Sequence, residues 1–135
     1  MEIIKQTPLT ILDGCITVES LEEVNKVLDG FSERKIVTVL AIPEDKDYLG
    51  VLKGVSEFSK DIVITYTEND YLKFSKNQVE ESNKVIPVLF REKISEAIAL
   101  GKSLLKSKED ILLFLGTQSF IRDVESLYGL DTLNV

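Results

Sequence analysis

The chain contains no histidine. That absence excludes zinc sites built on imidazole, Ser-His-Asp and Cys-His catalysis, and imidazole acid–base chemistry. There is one cysteine, Cys15, so an internal disulfide is impossible. A lone thiol suits a reducing compartment, and the expected location is cytoplasmic. No N-terminal stretch has the basic-then-apolar form of a signal peptide, and the longest apolar runs, such as Ile111 to Leu115, are far too short to span a bilayer. Positive charge is scarce: 16 basic against 23 acidic residues leave a formal charge of −7. Such a chain repels phosphate backbones and anionic lipid surfaces, and it carries no basic stripe with interleaved aromatics, so neither nucleic acid nor membrane is an expected partner. ATP is not excluded, because a pocket needs only local donors.

What is present has the balance of a globular protein. With 135 residues the chain has the length of one ordinary domain, 1–135, able to bury a core without disulfides or metals. The hydrophobic fraction of 44% against 29% charged argues against disorder. Short β-branched runs alternate with amphipathic segments. The runs are Leu9–Leu12, Lys35–Ala41, Ile62–Tyr66, Val85–Leu89 and Ile111–Leu115. The second, third and fifth are nearly continuous in apolar character, which marks strands buried on both faces, as in a parallel sheet.

Between them, apolar residues recur at helical spacing: Leu21, Val24, Val27, Leu28 and Phe31; Leu49, Leu52, Val55 and Phe58; Ile94, Ala97, Ile98, Gly101, Leu104 and Leu105; Phe120, Ile121, Val124, Leu127 and Tyr128. A further helix is expected over Tyr71 to Glu81. Thr17 fits the N-cap of the first helix and Gly30 its C-terminal stop. Strand–helix alternation through the whole chain predicts an α/β fold: an open, mostly parallel, Rossmann-like sheet with helices on both faces. Pro87 lacks an amide donor and places its strand near an edge. Glu2-Ile3-Ile4 is expected to add an edge strand, and Leu130 to Val135 to form a tail.

Ligands of such sheets bind beyond the C-terminal ends of the strands. This rule selects Asp13-Gly14-Cys15-Ile16-Thr17, Pro43-Glu44-Asp45-Lys46-Asp47, Gly116-Thr117-Gln118-Ser119 and the stretch Thr65 to Asp70. Asp13, at a strand end before a glycine and a helix, can accept from a ribose hydroxyl beside the free N–H groups of a helix start; taken alone, the same residues more often make an ordinary tight turn. Lys46 among carboxylates is either a cation aimed at a substrate carboxylate or part of a solvated loop whose Asp47 caps the next helix. Thr117 and Ser119 either hold an anion at the last helix or simply cap it. Cys15 fits a small turn residue better than a nucleophile, since nothing in the chain can serve as its imidazole base. Gly101-Lys102-Ser103 imitates the end of a P-loop, but Glu96 stands where the leading glycine belongs and the tripeptide falls in a helical pattern. The chain has no P-loop. A signalling receiver domain is excluded too, because Thr65-Tyr66 and Gly116-Thr117 occupy the places of its aspartate and lysine.

Four motifs in order resemble the C-terminal domain of folylpolyglutamate/dihydrofolate synthases and the Mur ligases. Met1-Glu2-Ile3-Ile4, Pro8, Leu9–Leu12 and Asp13-Gly14 follow that family's Arg-(apolar)-Glu, Pro, strand, Asp-Gly-Ala-His-Asn-Pro. The glutamate-rich helix from Glu19 to Gly30 comes next. Asp45-Lys46-Asp47 is similar to the following loop, and Phe114-Leu115-Gly116-Thr117-Gln118-Ser119 to the turn near the family's C-terminus. The resemblance spans essentially the whole chain.

It implies one part of an ATP-dependent ligase, in which ATP with magnesium phosphorylates a carboxylate and an amino-acid amine then attacks. The P-loop central domain, in the same or a separate chain, would be the partner, so this chain alone would not be catalytic. Asp13, Gly14 and Thr17 would bind nucleotide. Lys46, Asp47, Thr117 and Ser119 would lie near the amino acid, glutamate in the folate enzymes. The chain departs from the motif after its first two residues, reading Cys15-Ile16-Thr17-Val18. Isoleucine cannot make the polar contacts of the family's histidine, which keeps open a second role, a stand-alone module that binds a small ligand or a protein without turnover.

Overall fold

A computed structural model describes residues 2–6, 9–14, 17–31, 34–42, 47–65 and 76–129. It is an α/β fold with one six-stranded sheet: β1 (Glu2–Gln6), β2 (Leu9–Asp13), β3 (Ile36–Ala41), β4 (Asp61–Ile64), β5 (Leu89–Phe90) and β6 (Ile111–Gly116), in the order β1-β2-β6-β3-β4-β5. Only β1 is antiparallel; it pairs with β2 at one edge. The other pairings are parallel, so β6, late in the sequence, lies between β2 and β3.

Among the described residues five helices cover the sheet: α1 (Val18–Leu28), α2 (Tyr48–Ser56), α3 (Lys76–Val85), α4 (Ile94–Leu104) and α5 (Gln118–Leu127). One face packs against Leu21, Val24 and Leu28 of α1 and Val51, Leu52 and Val55 of α2, with Val79 of α3 at its margin. The other packs against Ile94, Ala97 and Ile98 of α4 and Phe120, Ile121 and Val124 of α5. The two-sided covering follows from the strand order. The steps β2 to β3 to β4 to β5 move across the sheet in one direction, and β5 to β6 moves back. Crossovers of one hand therefore put α4 on the face opposite α1, α2 and α3. Every residue of β3 and β6 is buried, which explains their unbroken apolar character. Each Val, Leu, Ile or Phe side chain so buried contributes about 1.5–3 kcal/mol.

Two glycines set how closely layers approach. A methyl group on Gly101 of α4 would lie 2.9 Å from Val39 Cγ2 on the sheet, and one on Gly54 of α2 would lie 2.7 Å from Leu21 Cδ1 of α1. The end of the sheet where β3 and β4 begin is tied by polar groups. Lys35 Nζ donates to Leu104 O at 2.9 Å and pairs with Asp61 at 3.0 Å. The hydroxyl of Ser59 donates to Ile36 O at 2.8 Å.

Several expectations hold: the edge strand at Glu2-Ile3-Ile4, the Thr17 cap, the helical setting of Gly101-Lys102-Ser103, and an edge position for the strand after Pro87. Two need correction. Val85 ends α3 instead of opening a strand, and β5 is only Leu89–Phe90. The Asn83 side chain accepts from Val88 N at 2.8 Å, which turns the chain after the helix. Gly30 is not a left-handed stop; α1 runs into a 3-10 turn, Asp29–Phe31, and Gly129 is the only described glycine with positive φ. The start of the helix expected from Tyr71, and the tail from Leu130, lie outside the described residues. No helix among the described residues is long and apolar enough to cross a membrane.

Candidate functional site

The C-terminal ends of β2, β6 and β3 lie level. Asp13 is opposite Leu115, and Ala41 is opposite Gly116. From these ends the chain departs in different directions. The loops after β2 and β3 lead to α1 and α2 on one face, and the loop after β6 leads to α5 on the other. The divergence on both sides of β6 makes this end a topological switch point, the place where parallel sheets form a ligand crevice.

Glycines bring the three segments together. A Cβ on Gly14 would lie 2.6 Å from Gln118 Nε2 and 3.9 Å from Gly116 O. A Cβ on Gly116 would lie 2.5 Å from Phe120 Cδ2 and 2.9 Å from Ala41 O. Gly14 therefore lies directly against the first turn of α5.

Three helices start at this edge, each with a side-chain cap. Thr17 accepts from Ser20 N at 3.1 Å, and its hydroxyl lies 2.7 Å from that of Ser20. Asp47 accepts from Gly50 N at 3.1 Å. Thr117 accepts from Phe120 N at 3.3 Å. Each cap satisfies one of the first-turn amides; the others, with the positive end of the helix dipole, are available to an anion. Thr117, while accepting from its helix, keeps a hydroxyl hydrogen to donate. Asp13 is half-buried and shares the side of the strand that carries Leu9 and Ile11, facing the α1 and α2 layer. Among the described residues no cluster of three or more carboxylate, thiol or imidazole groups could hold a metal ion.

The residues singled out from sequence thus divide. Asp13, Gly14 and Thr117 meet at the crevice, and Thr17 heads α1 beside them. Ser119 is exposed on the first turn of α5, and Asp47 heads α2 on the β3 side. Lys46, Cys15 and Ile16 lie outside the described residues. Gln118 is the residue sequence reasoning passed over: it sat in the polar cluster, yet it is its side chain that reaches Gly14. Its signal was its place as first residue of the helix after β6, which matters once β6 is known to lie beside β2.

No protein-family model and no curated protein sequence matches the chain. Solved structures do. A bifunctional folylpolyglutamate synthase/dihydrofolate synthase from Yersinia pestis, complexed with AMPPNP and manganese, superposes with a TM-score of 0.83 at 18% identity, over 96% of this chain and 30% of that one. A folylpolyglutamate synthase from Mycobacterium tuberculosis, complexed with ADP and AMPPCP, gives 0.85 at 17% identity, over 96% of this chain and 32% of that one. A domain from a protein described as a UDP-N-acetylmuramate:L-alanyl-γ-D-glutamyl-diaminopimelate ligase of Haemophilus ducreyi gives 0.69 at 12% identity, over 95% of this chain and 96% of that one. The chain thus spans 30% to 32% of the length of the two synthases. Its fold is that of the C-terminal domain of folylpolyglutamate synthases and Mur ligases.

Proposed function

We propose that this chain, as one domain over 1–135, works as the C-terminal part of an ATP-dependent amide ligase, closing over a P-loop domain and helping to hold the nucleotide and an amino acid such as glutamate. The observation that carries this reading is the crevice at Asp13, Gly14 and the first turn of α5, where two strand ends and two helix starts converge. Fold likeness alone would not suffice, because one fold hosts many functions. The ligands of the neighbours support the same direction: nucleotides in the two synthases, and L-glutamate in another synthase structure.

In this role the Asp13 carboxylate accepts from a ribose hydroxyl. Gly14, with no side chain, leaves room for a ligand to approach the loop, and Thr17 offers its hydroxyl at the head of α1. Lys46, steadied by Asp47, faces the carboxylate of the amino acid, while Thr117 and Ser119 offer hydroxyls from α5. ATP supplies the phosphoryl group that activates the acid. In this reading the P-loop domain supplies the metal ligands, and this chain is not catalytic alone.

The test is an amide NMR titration with magnesium–ATP, on this chain alone and joined to a P-loop domain. Shifts confined to Asp13–Thr17 and Thr117–Ser119 are expected in both. If neither form responds at millimolar nucleotide, the proposal fails. The module without turnover is then preferred, for which Ile16 in place of a polar residue speaks.

A further inference from the structure

At the opposite end of the sheet, far from the crevice, lies a cavity of about 410 Å³ lined by Thr10, Leu105, Leu112 and Tyr128 and rimmed by Lys102 and the loop Lys106-Ser107-Lys108. Thr10 and Leu112 are register partners near the starts of β2 and β6. The lysines come from the C-terminal end of α4 and the loop after it, and Tyr128 follows α5. The volume falls within the range of small-molecule sites, ~300–1,000 Å³.

The walls and the rim differ in chemistry. Leu105, Leu112 and the ring of Tyr128 form an apolar interior. The ring is held edge-on by Phe114, with centroids 5.9 Å apart, and its hydroxyl is hydrogen-bonded to Thr10. Lys102 Nζ stands 4.7 Å from the ring centroid. The rim is a concentration of positive charge on a chain whose formal charge is −7.

The acidic groups nearby are already engaged elsewhere. Asp110 is buried and accepts from the backbone N–H of Lys106 at 2.7 Å and of Ser107 at 3.2 Å, and from the Ser107 hydroxyl at 3.3 Å. Glu109 pairs with Arg34 at 3.6 Å. The Leu104 carbonyl at the negative end of α4 is taken by Lys35. Among the described residues, Lys102, Lys106 and Lys108 have no carboxylate at ion-pair distance. The loop thus presents ammonium groups around an apolar hole with no counter-ion among the described residues.

We propose that this cavity is a second ligand site, specific for a small aromatic carboxylate whose ring enters between Leu105, Leu112 and Tyr128 and whose carboxylate meets Lys102, Lys106 and Lys108. A flat ring matches the aromatic wall, and a single anionic head matches a rim of point charges. The site is independent of the nucleotide crevice, and its occupancy does not require ATP.

The test uses 2-naphthoate as probe and the uncharged 2-naphthalenemethanol as control, each titrated into the full chain and followed by amide NMR. The expected result is saturable shifts at Thr10, Leu105–Lys108 and Tyr128, with Gly14 and Thr117 unmoved, and an affinity for the alcohol lower by about tenfold. The double substitution Lys106→Gln with Lys108→Gln changes only exposed side chains; it should weaken 2-naphthoate by a similar factor and leave the alcohol unchanged. Equal affinity for acid and alcohol, shifts elsewhere on the chain, or no saturable response at millimolar probe would each overturn the assignment.

Discussion

The Cα of Gly14 faces the side-chain amide of Gln118 so closely that a methyl group there would sit 2.6 Å from Nε2. This joins the loop after the second strand to the helix after the sixth, across a crevice formed by residues about a hundred positions apart in sequence. The clashing atom is the far end of an exposed, flexible side chain, which can swing aside. Gly14→Ala should therefore change stability by less than about 1 kcal/mol while displacing Gln118. Thermal unfolding checks the first part. A changed chemical shift of the Gln118 side-chain amide in the same variant checks the second.

Gly116 is a different case. A methyl group there would meet the ring of Phe120 at 2.5 Å and the backbone oxygen of Ala41 at 2.9 Å. Phe120 is fully buried and the carbonyl belongs to a neighbouring strand, so neither can move alone. Gly116→Ala should cost about 1–3 kcal/mol, read as a lower denaturant midpoint with an unchanged slope.

Asp110 carries a pH dependence. Burial raises its carboxyl, but the amides of Lys106 and Ser107, the Ser107 hydroxyl and the charge of Lys35 together bring it below its ordinary value. A carboxyl lowered in the folded state contributes stability above its unfolded value, near 3.9, and loses it as pH falls through the folded value. Asp110→Ala should cost about 1–3 kcal/mol at neutral pH by removing the loop's acceptor. The gap to the unsubstituted chain should close below pH ~4. Urea unfolding at several pH values measures it; a gap that stays constant through that range would contradict the assignment.

At the alkaline end, Tyr48 donates its hydroxyl to Glu81, linking α2 to α3. That hydrogen bond, then burial, then the charge of Glu81 push the phenol up to about 12. A phenol raised in the folded state contributes stability below its ordinary value and loses it as pH climbs from ~10 to ~12. Tyr48→Phe should remove one tyrosine from the late part of the phenolate absorbance titration and flatten the alkaline loss of stability.

In the middle of β3, the hydroxyl of Thr38 is fully buried without a hydrogen-bond partner among the described residues. An unmet hydroxyl in such a place costs about 1–3 kcal/mol. Thr38→Val keeps the shape and removes the hydroxyl, so it should raise stability by about 1 kcal/mol. A lowered melting temperature would mean that the hydroxyl has a partner after all.

Much of the architecture was legible because burial on both faces leaves a plain mark. Ile36–Ala41 and Ile111–Gly116 have no polar face, and Thr17 stands before a regular apolar repeat, so their roles follow from local pattern. Val85 misled because a β-branched residue can end an exposed helix as well as open a strand, and its side chain is half in solvent. The loops of the crevice were found by the strand-end rule, but the contact of Gln118 with Gly14 was not. It depends on the pairing of Asp13 with Leu115, and no local periodicity encodes which strands become neighbours. The lysine-rimmed cavity was hidden for the same reason: Lys102 lies on one helix and the ring it covers follows another.

The insertion of β6 between β2 and β3 has a consequence for synthesis. Translation delivers β1 and β2 early and the β3-β4-β5 group later, but the strand that joins them emerges only with residues 111–116. Until then β2 and β3 both lack their shared neighbour, and the edges that β6 will pair keep their amides and carbonyls unpaired. Vectorial folding from the N-terminus therefore cannot proceed strand by strand to completion. The last long-range pairing is both the slowest to find and the one that makes the sheet whole, so the interval before β6 appears is when the growing chain is most open to aggregation and most in need of a chaperone.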